Sequence, residues 1–211
     1  MPQKRLSNAE RRKQIIQVAM DLFASRGFKG ATTRAIAEAA GVSEAIIFRH
    51  FATKEDLYDA IITTTIERRN ERWEQEAPPE EEAGDLEHLL RTFAKIFIQR
   101  HRDDQTFVRL MLYSALQDHK FRQRFFESNR SRYLRCIRAR IETGVASGEF
   151  TELDPSLTVQ SYLWSLLQYS INRFVGSDTV PDEAADDRFI DNLIAVYTNS
   201  LKTSQESALV P

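Results

Sequence analysis

The chain has 211 residues, 42% of them apolar and 28% charged, with a formal net charge of −2. This is the composition of a soluble globular protein with enough chain for one large or two small domains, and it excludes nucleic-acid binding driven simply by the charge of the whole chain. No apolar run approaches the ~20 residues of a membrane-spanning helix, and the single cysteine, Cys136, excludes an internal disulfide or a thiolate metal cluster. The charge is unevenly placed: residues 1–60 hold ten Lys/Arg against seven Asp/Glu, while the rest of the chain is acidic. A small basic head on a larger acidic body is the organisation this suggests. Met1 to Met20 lacks a signal-peptide core, so the cytoplasm is the expected location.

Ser7-Asn8-Ala9-Glu10 matches a capping box, so the first helix is predicted to start near Asn8. Ile15, Ala19, Leu22 and Phe23 continue it at helical spacing, and Gly27 is expected to stop it. Lys4, Arg5, Arg11, Arg12 and Lys13 crowd its start, either as a solvated end or as a basic arm near a phosphate backbone. Ile36, Ala37 and Ala40 give a second, short helix a narrow apolar stripe. Gly41 can adopt the left-handed conformation that ends it. Ser43 then stands where an N-cap belongs, and Ile47 and Phe51 turn one face of a third helix inward. This is a helix-turn-helix, a motif that carries its second helix into the DNA major groove, although tight helix corners also occur in plain bundles.

Thr53 and Asp56 predict another capped start, for a helix from 54 to about 75 that is ~32 Å long at 1.5 Å per residue. Pro78-Pro79 ends it, and Glu80-Glu81-Glu82 reads as a solvated linker. Beyond the linker the pattern is helical throughout. Helices are predicted over about 85–101 and 104–117, and a long one runs from about Phe121 past Ile141, its outer face dense in arginine. That arginine face is read as solvated and paired with the acidic body, or else as a second nucleic-acid surface. Asp154-Pro155 opens a helix over 155–176, apolar on most sides, and a last helix covers about 186–202. Two such apolar helices are what a symmetric four-helix subunit contact uses, and Leu163, Leu167, Ile171, Phe174, Phe189, Leu193 and Tyr197 are its candidate residues. The expected fold is all-α with about nine helices. It comprises a head over 1–53, a connecting helix over 54–76, an acidic linker over 77–84, a helical bundle over 85–203 and a tail over 204–211.

The string Ala19-Met20-Asp21-Leu22-Phe23, Gly27-Phe28, Thr32-Thr33, Ile36-Ala37, Ala40-Gly41-Val42-Ser43, Ile47-Phe48-Arg49-His50-Phe51, Lys54 and Leu57 resembles the head of the tetracycline-repressor (TetR) family of bacterial transcriptional regulators. The resemblance covers under a third of the chain by motif. With Ile47 inward and a helical step of about 100° per residue, Ala45, Ile46, Phe48 and Arg49 face outward. Arg49 is placed to donate twice to a guanine, and Ala45 and Ile46 to pack on thymine methyls. Glu44 either accepts from cytosine or complements the positive helix end. Ser43 lies beside them at the helix start. The resemblance assigns phosphate contacts to Thr33, His50 and Lys54, with Arg34 reaching a base or a phosphate. It usually has tyrosine where this chain has Phe48, whose phenyl keeps the aromatic wall but lacks the hydroxyl that meets a phosphate.

The resemblance further implies a homodimer on an inverted-repeat DNA operator, and a small-molecule pocket in the body whose filling releases the DNA. Candidate lining residues are Phe93, Phe97, Arg100, Phe107, Met111, Ser114, Tyr133, Trp164, Gln168 and Asn172. Polar groups amid apolar helices are the better pointers, because a buried polar group needs a partner. Methionine and aromatic richness suggests an apolar or aromatic effector. An enzyme is disfavoured: the chain has no G-x-S-x-G, no phosphate-binding glycine loop and no H-E-x-x-H, and its histidines are not at metal-ligand spacing. No cofactor or metal is expected. A helical adaptor whose helix-turn-helix binds protein is the remaining alternative.

Overall fold

The computed structural model describes residues 6–76, 85–116, 132–175 and 182–202. Among these residues there are nine α-helices and no strand: α1 Asn8–Gly30, α2 Thr33–Ala40, α3 Glu44–His50, α4 Lys54–Glu76, α5 Leu86–Asp103, α6 Thr106–Leu116, α7 Arg132–Ala146, α8 Pro155–Phe174 and α9 Glu183–Leu201. The expected linker 77–84, the first part of the long arginine-bearing helix, Lys4 and Arg5, and the tail lie outside the described residues. The chain forms two compact units. Unit 1 is Met1–Glu71 with Gln105–Ser128, and unit 2 is Arg72–Asp104 with Asn129–Pro211.

In unit 1 the predicted caps form. Ser7 accepts from the Glu10 amide at 3.2 Å while the Glu10 carboxylate accepts from the Ser7 amide at 2.7 Å. The hydrogen bonds hold the Glu10 carboxyl below its ordinary range. Thr53 and Asp56 make the same reciprocal pair at 3.0 Å each. Gly27 does interrupt α1, with φ 68° and ψ 176°, but one more turn follows to Gly30. That φ is open to glycine at little steric cost, and the kink brings Phe28 against Phe23 and Tyr58, at 5.7 and 5.1 Å between centroids. Gly41 caps α2 in the left-handed conformation at φ 64°. Ser43 holds the N-cap position of α3 with extended backbone, but its side chain makes no capping bond, contrary to the expectation from its type.

The core of unit 1 joins Ile15, Ala19 and Phe23 of α1, Ile36 of α2, Ile47 of α3 and Leu57, Ile61 and Ile62 of α4, all buried. Helix α6 belongs here too. The sequence pattern groups it with the C-terminal helices, whereas its packing places it against α1, where the Tyr113 hydroxyl donates to the Ser25 carbonyl at 3.3 Å. The reason is that both α1 and α6 carry an apolar stripe, and periodicity says that a face is buried without saying against what.

Unit 2 is built on α5, whose Leu86, Leu89, Leu90, Phe93, Ala94, Phe97, Ile98 and His101 form a buried stripe. Helices α7, α8 and α9 each pack against it. Tyr133 of α7 and Tyr162 of α8 donate to the α5 carbonyls of Leu89 and Leu90, at 3.2 and 2.6 Å, which satisfies two hydroxyls the core would otherwise leave unmade. As Asp154-Pro155 predicts, Asp154 caps α8, accepting from the Ser156 and Leu157 amides at 2.8 and 3.0 Å. Asp182 caps α9, starting it a few residues earlier than its apolar pattern suggests.

Candidate nucleic-acid interface

Helix α3 has one buried residue, Ile47, and Phe51 follows it inward as its C-cap. With that anchor the other side of the helix is open. Ala45 and Arg49 are exposed, and Phe48 is 47% exposed. Ile46 is half-buried rather than outward, a correction to the helical-wheel reading: at 100° from Ile47 it sits on the boundary of the face. Arg49 has no ion pair among the described residues.

The flanks of this face are set by contacts across sequence. The Thr33 hydroxyl donates to the Glu44 carboxylate at 2.7 Å, tying the start of α2 to the start of α3. Both of these candidates therefore already have a partner, and the carboxylate sits where the α3 dipole favours it. A threonine hydroxyl has one proton to donate, so Thr33 must release Glu44 to hold a phosphate oxygen. Arg34 pairs with Glu38 one turn on, at 3.1 Å and highly exposed, a contact that is worth little in water. Lys54 holds its ammonium 4.4 Å from the Phe28 ring centre, and burial lowers its affinity for a proton.

At the other end of α3, His50 is half-buried. Burial, and then the charges of Arg49, Arg12 and Arg11, push its pKa below the ordinary histidine value. Those causes place α1's arginines beside the end of α3. Arg12 lies over the Phe51 ring at 4.8 Å, and Arg11 bonds Gln14 at 2.6 Å, which in turn reaches the Ala40 carbonyl at 3.3 Å. Arg11 and Arg12 thus flank the α3 face, a placement that residue spacing alone leaves open. The capping box fixes where α1 starts, but nothing local says which helix that start faces. The result is a cationic rim around an apolar and arginine-bearing helix face, the chemistry of a phosphate backbone flanking base edges.

The other predicted site residues are dispersed. Phe93, Phe97 and Tyr133 do meet, with Trp73, in unit 2. Trp73 stacks on Phe93 at 4.4 Å, Tyr133 meets Phe93 edge-on at 5.3 Å, and the Arg100 guanidinium covers Trp73 at 4.2 Å. Phe107, Met111 and Ser114 belong to unit 1, where all three are buried. Trp164, Gln168 and Asn172 are exposed on α8, and Gln168 donates to Asn172 at 3.0 Å. They are not brought to the aromatic cluster, because they lie opposite Tyr162, Leu166 and Ser170, which α8 turns inward. Of the subunit-contact candidates, Leu167 and Leu193 are already buried within unit 2, so a partner chain cannot cover them. Leu163, Ile171, Phe174, Phe189 and Tyr197 are half-buried. The apolar side chains left open on these two helices are instead Leu157 (61% exposed), Trp164 (38%) and Val196 (53%). A cleft of about 520 Å³ opens between α5 and α9, with Ile96, Ile98 and Ile190 among its lining and Lys95, Arg102, Glu183 and Asp187 around them. No cluster of histidine, cysteine and carboxylates able to hold a metal occurs among the described residues. No helix among them is long and apolar enough to cross a membrane.

Together the fold and this face define a helix-turn-helix DNA-binding protein. The family described as bacterial regulatory proteins, tetR family, matches residues 15–61, which span α1 to α4. Over 179 residues the chain is 28% identical to the HTH-type transcriptional repressor AcnR of Corynebacterium diphtheriae, covering 82% of this chain and 88% of that one. It is 26% identical over 149 residues to the HTH-type transcriptional regulator YhgD of Bacillus subtilis, 71% of this chain and 76% of the relative. The crystal structure of the transcriptional regulator FadR from Bacillus subtilis in complex with stearoyl-CoA shares the fold, with TM-score 0.69 at 21% identity over 87% of this chain and 97% of FadR. Residues 15–61 are thus similar to the DNA-binding head of the TetR-family regulators, and the helical order of the whole chain is shared with FadR.

Proposed function

We propose that this chain is a ligand-responsive repressor that binds an inverted-repeat DNA operator as a homodimer. It is released when a small apolar or aromatic molecule binds the C-terminal helices. The observation that carries the reading is the open α3 face bearing Arg49, rimmed by Arg11, Arg12 and His50. In this proposal Arg49 specifies a guanine, Ala45 and the edge of Ile46 lie against the groove, and Thr33, His50 and Lys54 anchor phosphates, with Arg34, Ser43 and Glu44 at the margin. One head reads about one turn of DNA, so two heads related by a twofold axis read a palindrome. Leu157, Trp164 and Val196 mark the face of α8 and α9 that a second copy covers. The division into head 1–53, connecting helix 54–76, linker 77–84, effector and dimer domain 85–203 and tail 204–211 is part of the same proposal.

The effector reading has support of its own. A relative of the same fold holds an acyl-CoA, and an aromatic cluster around Trp73 and Phe93 suits an apolar guest. Helix α4 contributes to both units, so a ligand that shifts its Trp73 end changes the presentation of the head. Such coupling is worth about 1–3 kcal/mol in regulators of this kind. The chain acts without catalysing a reaction and without a cofactor, in the cytoplasm.

The test is selection of duplexes by the full-length chain from a randomised pool, followed by titration of the enriched duplex at several salt concentrations. The expected outcome is an inverted repeat, a two-chain stoichiometry, and a log–log salt slope of about −0.9 per phosphate neutralised. A pool without enrichment, or affinity indifferent to salt, overturns the reading.

A further inference from the structure

We infer that Phe48 is a specificity-determining residue that reads the C5-methyl group of a thymine in each operator half-site. The inference rests on the proposed DNA reading of α3 and names what that face requires of the DNA. Phe48 is 47% exposed on a seven-residue helix whose inward side is held by Ile47 and Phe51. Its neighbour Arg49 is also exposed, and Arg12 covers Phe51. Among the described residues no aromatic ring and no cation covers the Phe48 phenyl. Elsewhere in unit 1, Phe23, Phe28 and Tyr58 pack on one another.

An uncovered phenyl on a docking face is covered by whatever docks. Phenylalanine has no hydroxyl, so it cannot bond a phosphate oxygen, and seating it against one strips water from a charge without replacing the hydrogen bond. Base edges in the groove are almost wholly donors and acceptors. The thymine methyl is the apolar exception, found in the major groove alone. A phenyl beside a guanine-reading arginine therefore selects a thymine near that guanine. Both uncovered side chains are then matched: Arg49 by O6 and N7, Phe48 by a methyl.

The test uses the duplex selected by the full-length wild-type chain. Each thymine is replaced in turn by deoxyuridine, which removes the methyl and nothing else. Binding is compared for the wild type, Phe48→Ala and Phe48→Leu. One thymine per half-site is expected to lose affinity about fourfold as deoxyuridine with the wild type, the scale of one buried methyl. With Phe48→Ala the same replacement is expected to have no effect, while Phe48→Leu keeps part of the sensitivity. Because Phe48 is exposed, both variants fold, as circular dichroism checks. If every replacement affects the wild type and Phe48→Ala alike, the thymine assignment is overturned while the DNA reading stands. If no duplex is enriched, the DNA reading itself is overturned, and this inference with it.

Discussion

The arginine on the α3 face and the arginines of unit 2 are used in opposite ways. In unit 1, Arg49 stands exposed on α3, and Arg34 has an i,i+4 contact of slight worth. In unit 2, arginines join separate elements: Arg91 of α5 pairs with Asp191 of α9, Arg102 of α5 with Glu183 and Asp186 of α9, and Arg140 of α7 with Glu149. Asp186 is only 4% exposed and also accepts from the Tyr169 hydroxyl at 2.6 Å. The aromatic side chains at these two places differ in the same way: Phe48 of the α3 face is open to solvent, and Phe93, Tyr133 and Tyr162 of unit 2 are fully buried. A surface that binds a polyanion keeps its cations and its apolar contacts uncommitted. A body that must hold its shape commits both to itself. The arginine-dense face of α7 follows the second rule, with Arg135 near Glu74 and Arg138 near Glu142, which favours the solvated, acid-paired reading of that helix.

The contrast can be broken or sharpened by substitution. The largest effect belongs to the body. Phe93→Ala removes the ring that Trp73, Tyr133 and Tyr162 share, and is expected to cost about 3–5 kcal/mol of stability by denaturant titration. A loss under 1 kcal/mol would show that the cluster is not the core it resembles. Next comes the head: Arg49→Ala is expected to weaken binding to the selected duplex by about 1–3 kcal/mol per head. Its unfolding curve should match the wild type, since the side chain is exposed; destabilisation of the fold would mean that Arg49 is not a dedicated reader.

A smaller effect concerns His50. Its pKa is lowered in the unbound chain by burial and by Arg49, Arg12 and Arg11. The unfolded chain therefore binds the proton more readily, and this group's contribution to stability is present above the ordinary histidine pKa and lost as pH falls through the depressed one. A phosphate at His50 reverses the balance by favouring the imidazolium. Duplex affinity should therefore rise as pH falls from 7, and His50→Gln should flatten that rise in an anisotropy titration. The smallest effect sits in unit 2. Burial and then the Asp186 hydrogen bond raise the Tyr169 pKa to about 12. Its contribution to stability is intact below the unfolded value of about 10 and is lost as pH rises from 10 towards 12. Tyr169→Phe should reduce, without abolishing, the alkaline loss of stability, because Tyr58 in unit 1 is raised to about 12 as well.

Much of the head was legible from residue order, and the reason is range. The Ser7/Glu10 and Thr53/Asp56 caps, the left-handed Gly41 and the inward Ile47 and Phe51 all arise between residues a few positions apart, where helix geometry leaves few choices. Arg49's outward position follows from Ile47 by the same geometry. What the sequence left undecided depends on partners far along the chain. That α6 packs on α1, that Arg11 and Arg12 flank His50, and that Thr33 bonds Glu44 are decided by the way apolar stripes pair, which periodicity does not encode. The same holds for α8. Its sequence is apolar on most sides, yet only the packing on α5 and α7 decides that Leu166 and Leu167 turn inward while Leu157 and Trp164 are left open. Local chemistry by itself determined the helices and the outward turn of Arg49 on α3, and tertiary structure alone decided which faces meet, because burial is a property of pairs of elements and not of one.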